Sequence, residues 1–291
     1  MATLKAIRRR VSSVRNIQQI TKAMKMVSAA RLRRAQEAAF AARPYAEKLE
    51  AVLQNLAAQS QTLAHPFLAD REEQKIDLLL ITSDRGLCGG FNSTLIRAAE
   101  AFIREHPAQQ ITLSIIGRRG YDHFKRRSVT IGEQRTDLFG RLTSALAHEI
   151  GKHMGERFLS GETDGVYVLY ARFRSALVQV PTIDRVLPII AKEGAAAKER
   201  ATTQTPLEYL YEPEPRELLE SLLARYVDML IYRAMLESVA SEHGARMTAM
   251  DNATNNAVEM IERLTLDMNR ARQAGITREL LEIVSTSEAL K

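Results

Sequence analysis

The loop Gly86-Leu-Cys-Gly-Gly90 is the first place in this sequence where phosphate chemistry could sit. Glycine-rich turns ahead of a helix can aim backbone N–H groups at a phosphate. The spacing here is neither G-x-G-x-x-G nor G-x-x-x-x-G-K-[ST], because the glycines are differently placed and no Lys follows. The loop therefore reads as a tight turn that needs positive φ and lets a helix pack closely on a strand. Cys88 has Asp84 and Arg85 nearby but no base readable by spacing. It reads as a small buried or half-buried thiol and not as a nucleophile.

His148 and His153 come close to a zinc-protease pair. In H-E-x-x-H the imidazoles lie four residues apart on one helix face. A spacing of five turns the rings apart by roughly 140° at 100° per residue, so solvated histidines are expected. His243 falls on an apolar heptad seam and reads as a polar residue that sets register. No catalytic, cofactor or metal site emerges from these residues.

Ten Lys and Arg but no acid occupy residues 1–36, while residues 37–291 hold 31 bases and 35 acids. The net charge of +6 thus belongs to one N-terminal arm. Nucleic acid, a membrane surface, a targeting peptide or an acidic protein could each attract such an arm. Its apolar pattern runs on without the composition break of a transit peptide. Its cations spread around most of a helix circumference, and no aromatic lies among them before Phe40 to stack a base. A shaft surrounded by protein fits this distribution better than one face laid on a duplex. A basic coiled-coil module binding nucleic acid is the alternative reading, and a nucleotide-dependent α/β enzyme is the third.

The elements that must carry these residues fall into three parts. In the N-terminal arm, Leu4, Ile7, Val11, Val14, Ile17, Ile20, Met24 and Val27 recur every three or four residues. This predicts a helix over 1–63 that packs on a partner helix, with a kink or break near Pro44. In the C-terminal arm, 207–291, one seam runs Leu219, Tyr226, Arg233, Ala240, Met247, Thr254, Ile261, Met268. Its companion runs Leu222, Met229, Leu236, His243, Met250, Ala257, Leu264. Seven heptads predict a coiled coil. Gly244 and Gly275 should each weaken the helix by about 1 kcal/mol. This arm holds fifteen acids against nine bases, so an antiparallel pair with the basic arm follows. The C-terminal arm is longer and should project alone by roughly 25–30 Å at its end.

Between the arms, 76–190 alternates strand and helix. Ile76–Ile81, Ile111–Gly117, Val166–Phe173 and Ala176–Val180 read as strands, with helices at Ser93–His106 and Phe139–Leu159. That pattern predicts an α/β domain with a largely parallel sheet. Residues 191–206 are small, charged and aperiodic, and read as a flexible linker. No run of 18 apolar residues exists to span a membrane. One cysteine forms no internal disulfide, which suits a reducing compartment.

Motifs along the whole chain resemble one family, the gamma subunit of F-type ATP synthases. They are Leu4–Ala30 (LKAIRRRVSSVRNIQQITKAMKMVSAA), Arg43-Pro-Tyr-Ala46 and Ser83-Asp-Arg-Gly-Leu-Cys-Gly-Gly90. Val180-Pro-Thr182, Tyr209-Leu-Tyr-Glu-Pro-Glu-Pro215, Ala245-Arg-Met-Thr-Ala-Met250 and the stretch from Ala271 to Ser285 continue the match. The resemblance implies a non-catalytic central rotor stalk without cofactors. Its terminal helices would form an antiparallel coiled coil inside a ring of three alpha and three beta subunits, with a Rossmann-like domain near the base. The rotor would pass torque from an ion-driven membrane c-ring to the catalytic ring. It further implies ring contacts at Arg8, Arg9, Met24, Lys25, Cys88, Arg272, Gln273 and Thr277. Tyr209, Tyr211, Glu212 and Pro213 would form a foot against the epsilon subunit and the c-ring. The implied address is the cytoplasmic face of a bacterial inner membrane, held peripherally, since no transit peptide precedes the first motif. Asp251 stands where the family usually has a base, Asn255 where an acid is common, and Thr286-Ser287 where Gly-Ala is usual.

Overall fold

β1 (Lys75–Ile81) buries six of its seven residues, as a strand covered on both faces must. It pairs in parallel with β2 (Gln110–Ile116) on one side and β4 (Gly165–Phe173) on the other. β3 (Thr130–Arg135) extends the sheet in parallel beside β2, and β5 (Gln179–Leu187) closes it antiparallel to β4, so the order is β3-β2-β1-β4-β5. Helices α2 (Phe91–Glu105), α3 (Arg118–Phe124) and α4 (Ser144–Leu159) lie between the strands in sequence, and α1 (Leu4–Gln59) and α5 (Pro215–Ala289) bound the chain. These elements come from a computed structural model that describes residues 4–59, 65–69, 71–138, 143–189 and 215–289. The expected linker, 191–206, lies outside the described residues, as do residues 60–63 of the expected N-terminal helix. By packing, the chain divides into two units, Met1–Ala30 with Arg246–Lys291, and Arg31–Ala245.

In the larger unit, the sheet and its helices share one core with both long helices. Leu49 and Leu53 of α1 and Leu219, Leu223, Val227, Ile231, Ala234 and Met235 of α5 join β1, β2 and β4 there. The expected seam holds only in part in the lower half of α5. Leu219, Leu236, Ala240 and His243 are buried, but Leu222, Tyr226 and Met229 are half-buried and Arg233 is exposed, while Leu223, Val227 and Ile231 outside the seam are buried because the helix also turns that face to the α/β core. Gly244 is likewise no weak point. A Cβ there would sit 3.3 Å from both Ala176 Cα and Phe173 Cε2, so its smallness lets α5 lie close to the hairpin after β4. Of the kink or break expected near Pro44, the break is absent, and α1 stays helical through it. Pro44 is exposed, where the carbonyl left without its amide can face water, and Leu49 and Leu53 anchor the helix beyond it.

Two strands differ from the expectation. β3 follows α3 where no strand was read, because TIGEQR carries too few apolar residues to signal one. β5 begins later and runs further than Ala176–Val180. Ser175 Oγ accepts from the N–H groups of Leu177 and Val178 and folds 174–178 into a turn. Pro181 is tolerated because β5 is an edge strand.

Gly117 closes the sheet's upper rim. It has φ +97°, its N–H donates to Arg135 O at 2.8 Å, and a Cβ would fall 2.0 Å from Thr82 O. Gly117→Ala is expected to destabilise the fold by about 2–3 kcal/mol, from backbone strain and overpacking together. Urea unfolding read by circular dichroism measures it, and an unchanged midpoint would show that the rim relaxes freely.

In the smaller unit the two helices run antiparallel. Thr254 Oγ1 donates to Thr21 Oγ1 at 2.8 Å, and Lys25 Nζ donates to Asp251 Oδ1 at 2.6 Å. Each step up α1 is therefore a step down α5. The expected α5 seam holds here, with Met247, Met250, Thr254, Ala257, Ile261, Leu264 and Met268 all buried or half-buried. The expected α1 stripe holds only in part. Leu4, Ile7, Val11, Val14 and Met24 are buried or half-buried, but Ile17, Ile20 and Val27 are 52%, 59% and 53% exposed, and Gln18, Thr21, Lys25 and Ser28 continue the inward face in their place. An unbroken alternation of four- and three-residue steps keeps one face on the partner helix, and that geometry overrides hydropathy in the middle of the stripe.

Candidate functional site

The glycine loop after β1 is held by its own side chains. Asn92 Oδ1 accepts from Ser83 N–H at 3.0 Å, while Asn92 Nδ2 donates to Ser83 Oγ at 2.8 Å and to Cys88 Sγ at 3.2 Å. Asp84 Oδ1 accepts the backbone N–H groups of Arg118 and Asp137 at 3.0 and 2.9 Å, which ties the loop to its neighbours across the sheet edge. The positive φ angles fall at Leu87 (64°) and Gly89 (57°), not at Gly86 or Gly90. Cys88 is buried, as its sequence context suggested, and the exposed apolar residue of the loop is Leu87. A leucine in the left-handed region stores backbone strain of order 1–3 kcal/mol, held here by the surrounding turn.

In doubly wound sheets, ligands bind in the crevice where strand order reverses, here beside the C-terminal ends of β1 and β4. α5 lies across the end of β4, where Ser241 Oγ donates to Ala171 O at 2.8 Å and Gly244 approaches Phe173. A hollow of about 130 Å³ lies beside it, lined by Gly90, Phe91, Thr94, Leu95, Ala171, Gln179 and Pro181. Ligand sites span roughly 300–1,000 Å³. The hollow at this crevice is smaller than that.

The histidines do not converge. His148 Nδ1 lies 2.7 Å from Asp228 Oδ2 and joins α4 to α5, whereas His153 is exposed. Burial pushes the Asp228 carboxyl above its ordinary range, and His148 opposes that shift. His243 is buried with Nδ1 3.0 Å from Glu242 Oε2. Among the described residues, no three His, Cys, Asp or Glu side chains are grouped to hold a metal.

The features left for function are surfaces. Carried along the pairing register, Leu4 comes opposite residues near Ala271, so α5 outruns α1. From Arg272 to Thr286 every side chain described is exposed. Ile276, Leu280, Ile283 and Val284 are 51%, 57%, 65% and 56% exposed. At 100° per residue they fall within an arc of about 100°, the width of a helix face that packs on something. Sequence reading expected the projection and missed this face, although the spacing i, i+4, i+7, i+8 was legible.

Among the residues implied as ring contacts, Arg272, Gln273 and Thr277 lie on this exposed segment. Arg8 and Arg9 are exposed on α1, Met24 is half-buried, and Lys25 is held by Asp251. Tyr209, Tyr211, Glu212 and Pro213 lie outside the described residues. α1 packs one face against α5, and no observation favours the nucleic-acid reading. No helix among the described residues is long and apolar enough to cross a membrane.

Comparison with known proteins agrees with the fold and extends it. A family model described as ATP synthase matches residues 3–290. The chain is 47% identical, over the full length of both, to the ATP synthase gamma chain of Geobacter sp. (strain M21). It is 48% identical, again end to end, to that of Geobacter metallireducens. Among solved structures, a chain of the Tetrahymena thermophila mitochondrial ATP synthase central stalk and c-ring superposes with TM-score 0.61 at 25% identity, covering 80% of this chain and 99% of that one. A chain of the Euglena gracilis mitochondrial enzyme gives TM-score 0.68 at 19% identity, covering 99% and 94%.

Proposed function

Since the chain belongs to the ATP synthase gamma-chain family, we propose that it is the central rotor stalk, a non-catalytic subunit that carries torque between an ion-driven membrane c-ring and a ring of three alpha and three beta subunits. The observation that carries this reading is the solitary end of α5. An exposed apolar face on an otherwise charged helix stabilises nothing within the chain, and it suits a partner that encloses the tip. Below the tip, two helices side by side resist bending better than one, as a shaft must.

In this reading Arg8, Arg9, Met24, Arg272, Gln273 and Thr277 meet the alpha and beta subunits. The loop containing Cys88 meets the underside of the same ring, through Leu87 more than through the buried thiol. Tyr209, Tyr211, Glu212 and Pro213 belong to the foot, against the epsilon subunit and the c-ring. Torque passes through rigid elements, so no pocket or proton-transfer group is needed in this chain. Its place is the cytoplasmic face of a bacterial inner membrane, held through its partners.

The test is co-purification. A tag placed within 191–206 leaves the C-terminal segment untouched. Mild detergent extraction should recover alpha and beta subunits in threefold excess over this chain, with ATPase activity. Recovery of the chain alone, or with nucleic acid, would overturn the reading.

A further inference from the structure

The middle of the helix pair is polar where a coiled coil is ordinarily apolar. Within three turns, α1 turns Gln18, Thr21, Lys25 and Ser28 toward α5, while Ile17, Ile20 and Val27 point outward. The cost of this choice is offset by specific bonds. Lys25 Nζ meets Asp251 Oδ1 at 2.6 Å, with the two side chains 41% and 44% exposed. One turn away the Thr254 and Thr21 hydroxyls lie 2.8 Å apart, each also within reach of a carbonyl of its own helix, Met250 O at 2.7 Å and Gln18 O at 3.0 Å. Ser28 Oγ folds back on Met24 O at 2.8 Å, so it satisfies itself within α1.

An apolar seam of Met, Ala and Leu tolerates a slip of one heptad, because every heptad offers a similar surface. Polar pairs do not. A slip by seven residues would carry Lys25 from Asp251 to Val258 or Gly244, and Thr21 from Thr254 to Ile261 or Met247. Either slip leaves the ammonium without its carboxylate.

We propose that Lys25 and Asp251, supported by Thr21 and Thr254, are positioning residues that lock the register of the two shaft helices, and that Lys25 serves this pair and not a contact to the ring. The consequence for torque rests on the rotor reading, but the lock itself does not. Under load one helix is pushed along the other, and a register-specific pair opposes that sliding where an apolar seam would yield.

Two measurements separate these claims. In the full chain, Val14→Cys with Ile261→Cys, one heptad along the same register and outside the lock, reports register through disulfide formation under mild oxidation. Adding Lys25→Ala should slow that cross-link about two- to fivefold, the effect of losing a half-exposed ion pair. Adding Lys25→Asp with Asp251→Lys should restore it. An unchanged rate, or no restoration by the reversed pair, would overturn the lock. In the assembled complex, ATP-driven ion pumping per ATP hydrolysed should fall about equally in Lys25→Ala and Asp251→Ala and recover in the reversed pair. A loss in Lys25→Ala alone would assign Lys25 to the ring and overturn the proposal. Should even the unaltered chain fail to assemble, the rotor reading falls, and the cross-link still decides the lock.

Discussion

Leu280→Asp together with Ile283→Asp is expected to weaken assembly with the alpha and beta subunits by about a thousandfold and to leave the chain's own unfolding unchanged. Both leucine and isoleucine are more than half exposed, so they contribute little to the fold. Surface changes of that kind usually move stability by less than about 0.5 kcal/mol. If the face is enclosed by the ring, each residue is a buried anchor whose loss costs about 2 kcal/mol, and two such losses give roughly three orders of magnitude. Asp near a helix C-terminus also opposes the dipole by about 0.3–1 kcal/mol. Leu280→Lys with Ile283→Lys controls for that term and should weaken assembly similarly. The readout is titration of the variant chain against alpha and beta subunits, followed by ATPase activity and pull-down, with thermal unfolding of the chain in parallel. Assembly at the original affinity would remove the C-terminal face from the contact.

The second large effect lies under the sheet. Asp77 on β1 is 2% exposed, among leucines and isoleucines. Arg157 of α4 answers it, with Nε 2.9 Å from Oδ2 and Nη2 donating to Oδ1 at 3.3 Å. Burial pushes the Asp77 carboxyl above its ordinary value of 3.8, and Arg157 pulls it back. A raised folded pKa means that the native state binds this proton more tightly than the unfolded chain. The stabilisation from that proton is complete below the ordinary value and is lost as pH rises through the raised one. The two contacts to the Arg157 guanidinium are those a carboxylate makes, so the ionised form of Asp77 in the core depends on that cation. Arg157→Ala at pH 7 should therefore cost about 3–5 kcal/mol, the cost of stranding a buried charge. Without Arg157 the Asp77 pKa rises further, so acidification toward pH 5 should shrink the loss as the carboxyl takes up a proton. Urea midpoints at the two pH values decide it. An equal loss at both would mean that Arg157 acts through packing of its aliphatic stem.

Asp77 illustrates what a sequence hides. IDLLLI reads as a buried strand whether or not it contains an acid, and nothing in the order of residues says that an arginine eighty positions later will meet it. The α1 stripe is a second case. Hydropathy ranked Ile17, Ile20 and Val27 as core, but the helix turned Gln18, Thr21 and Lys25 inward, where Asp251 and Thr254 of the partner helix answer Lys25 and Thr21. Asp251, a departure from its family when read alone, becomes half of a pair when its opposite residue is known. β3 was missed because an edge strand buries only part of its length and leaves a weak apolar signal.

Local terms and long periodicity were decided by the sequence. The apolar periodicity of the arms, the strand-helix alternation and the opposite charge of the two arms dictated two long helices and an α/β domain, because each is a property of residues near one another along the chain. The motifs at both ends and in the middle were enough to indicate the family. Which face of each helix turns inward, which buried charge finds its partner, and where an apolar face is left uncovered depend on elements far apart in sequence. Only the tertiary structure settles those, because burial and electrostatic pairing are properties of what lies opposite, and no residue carries that information by itself.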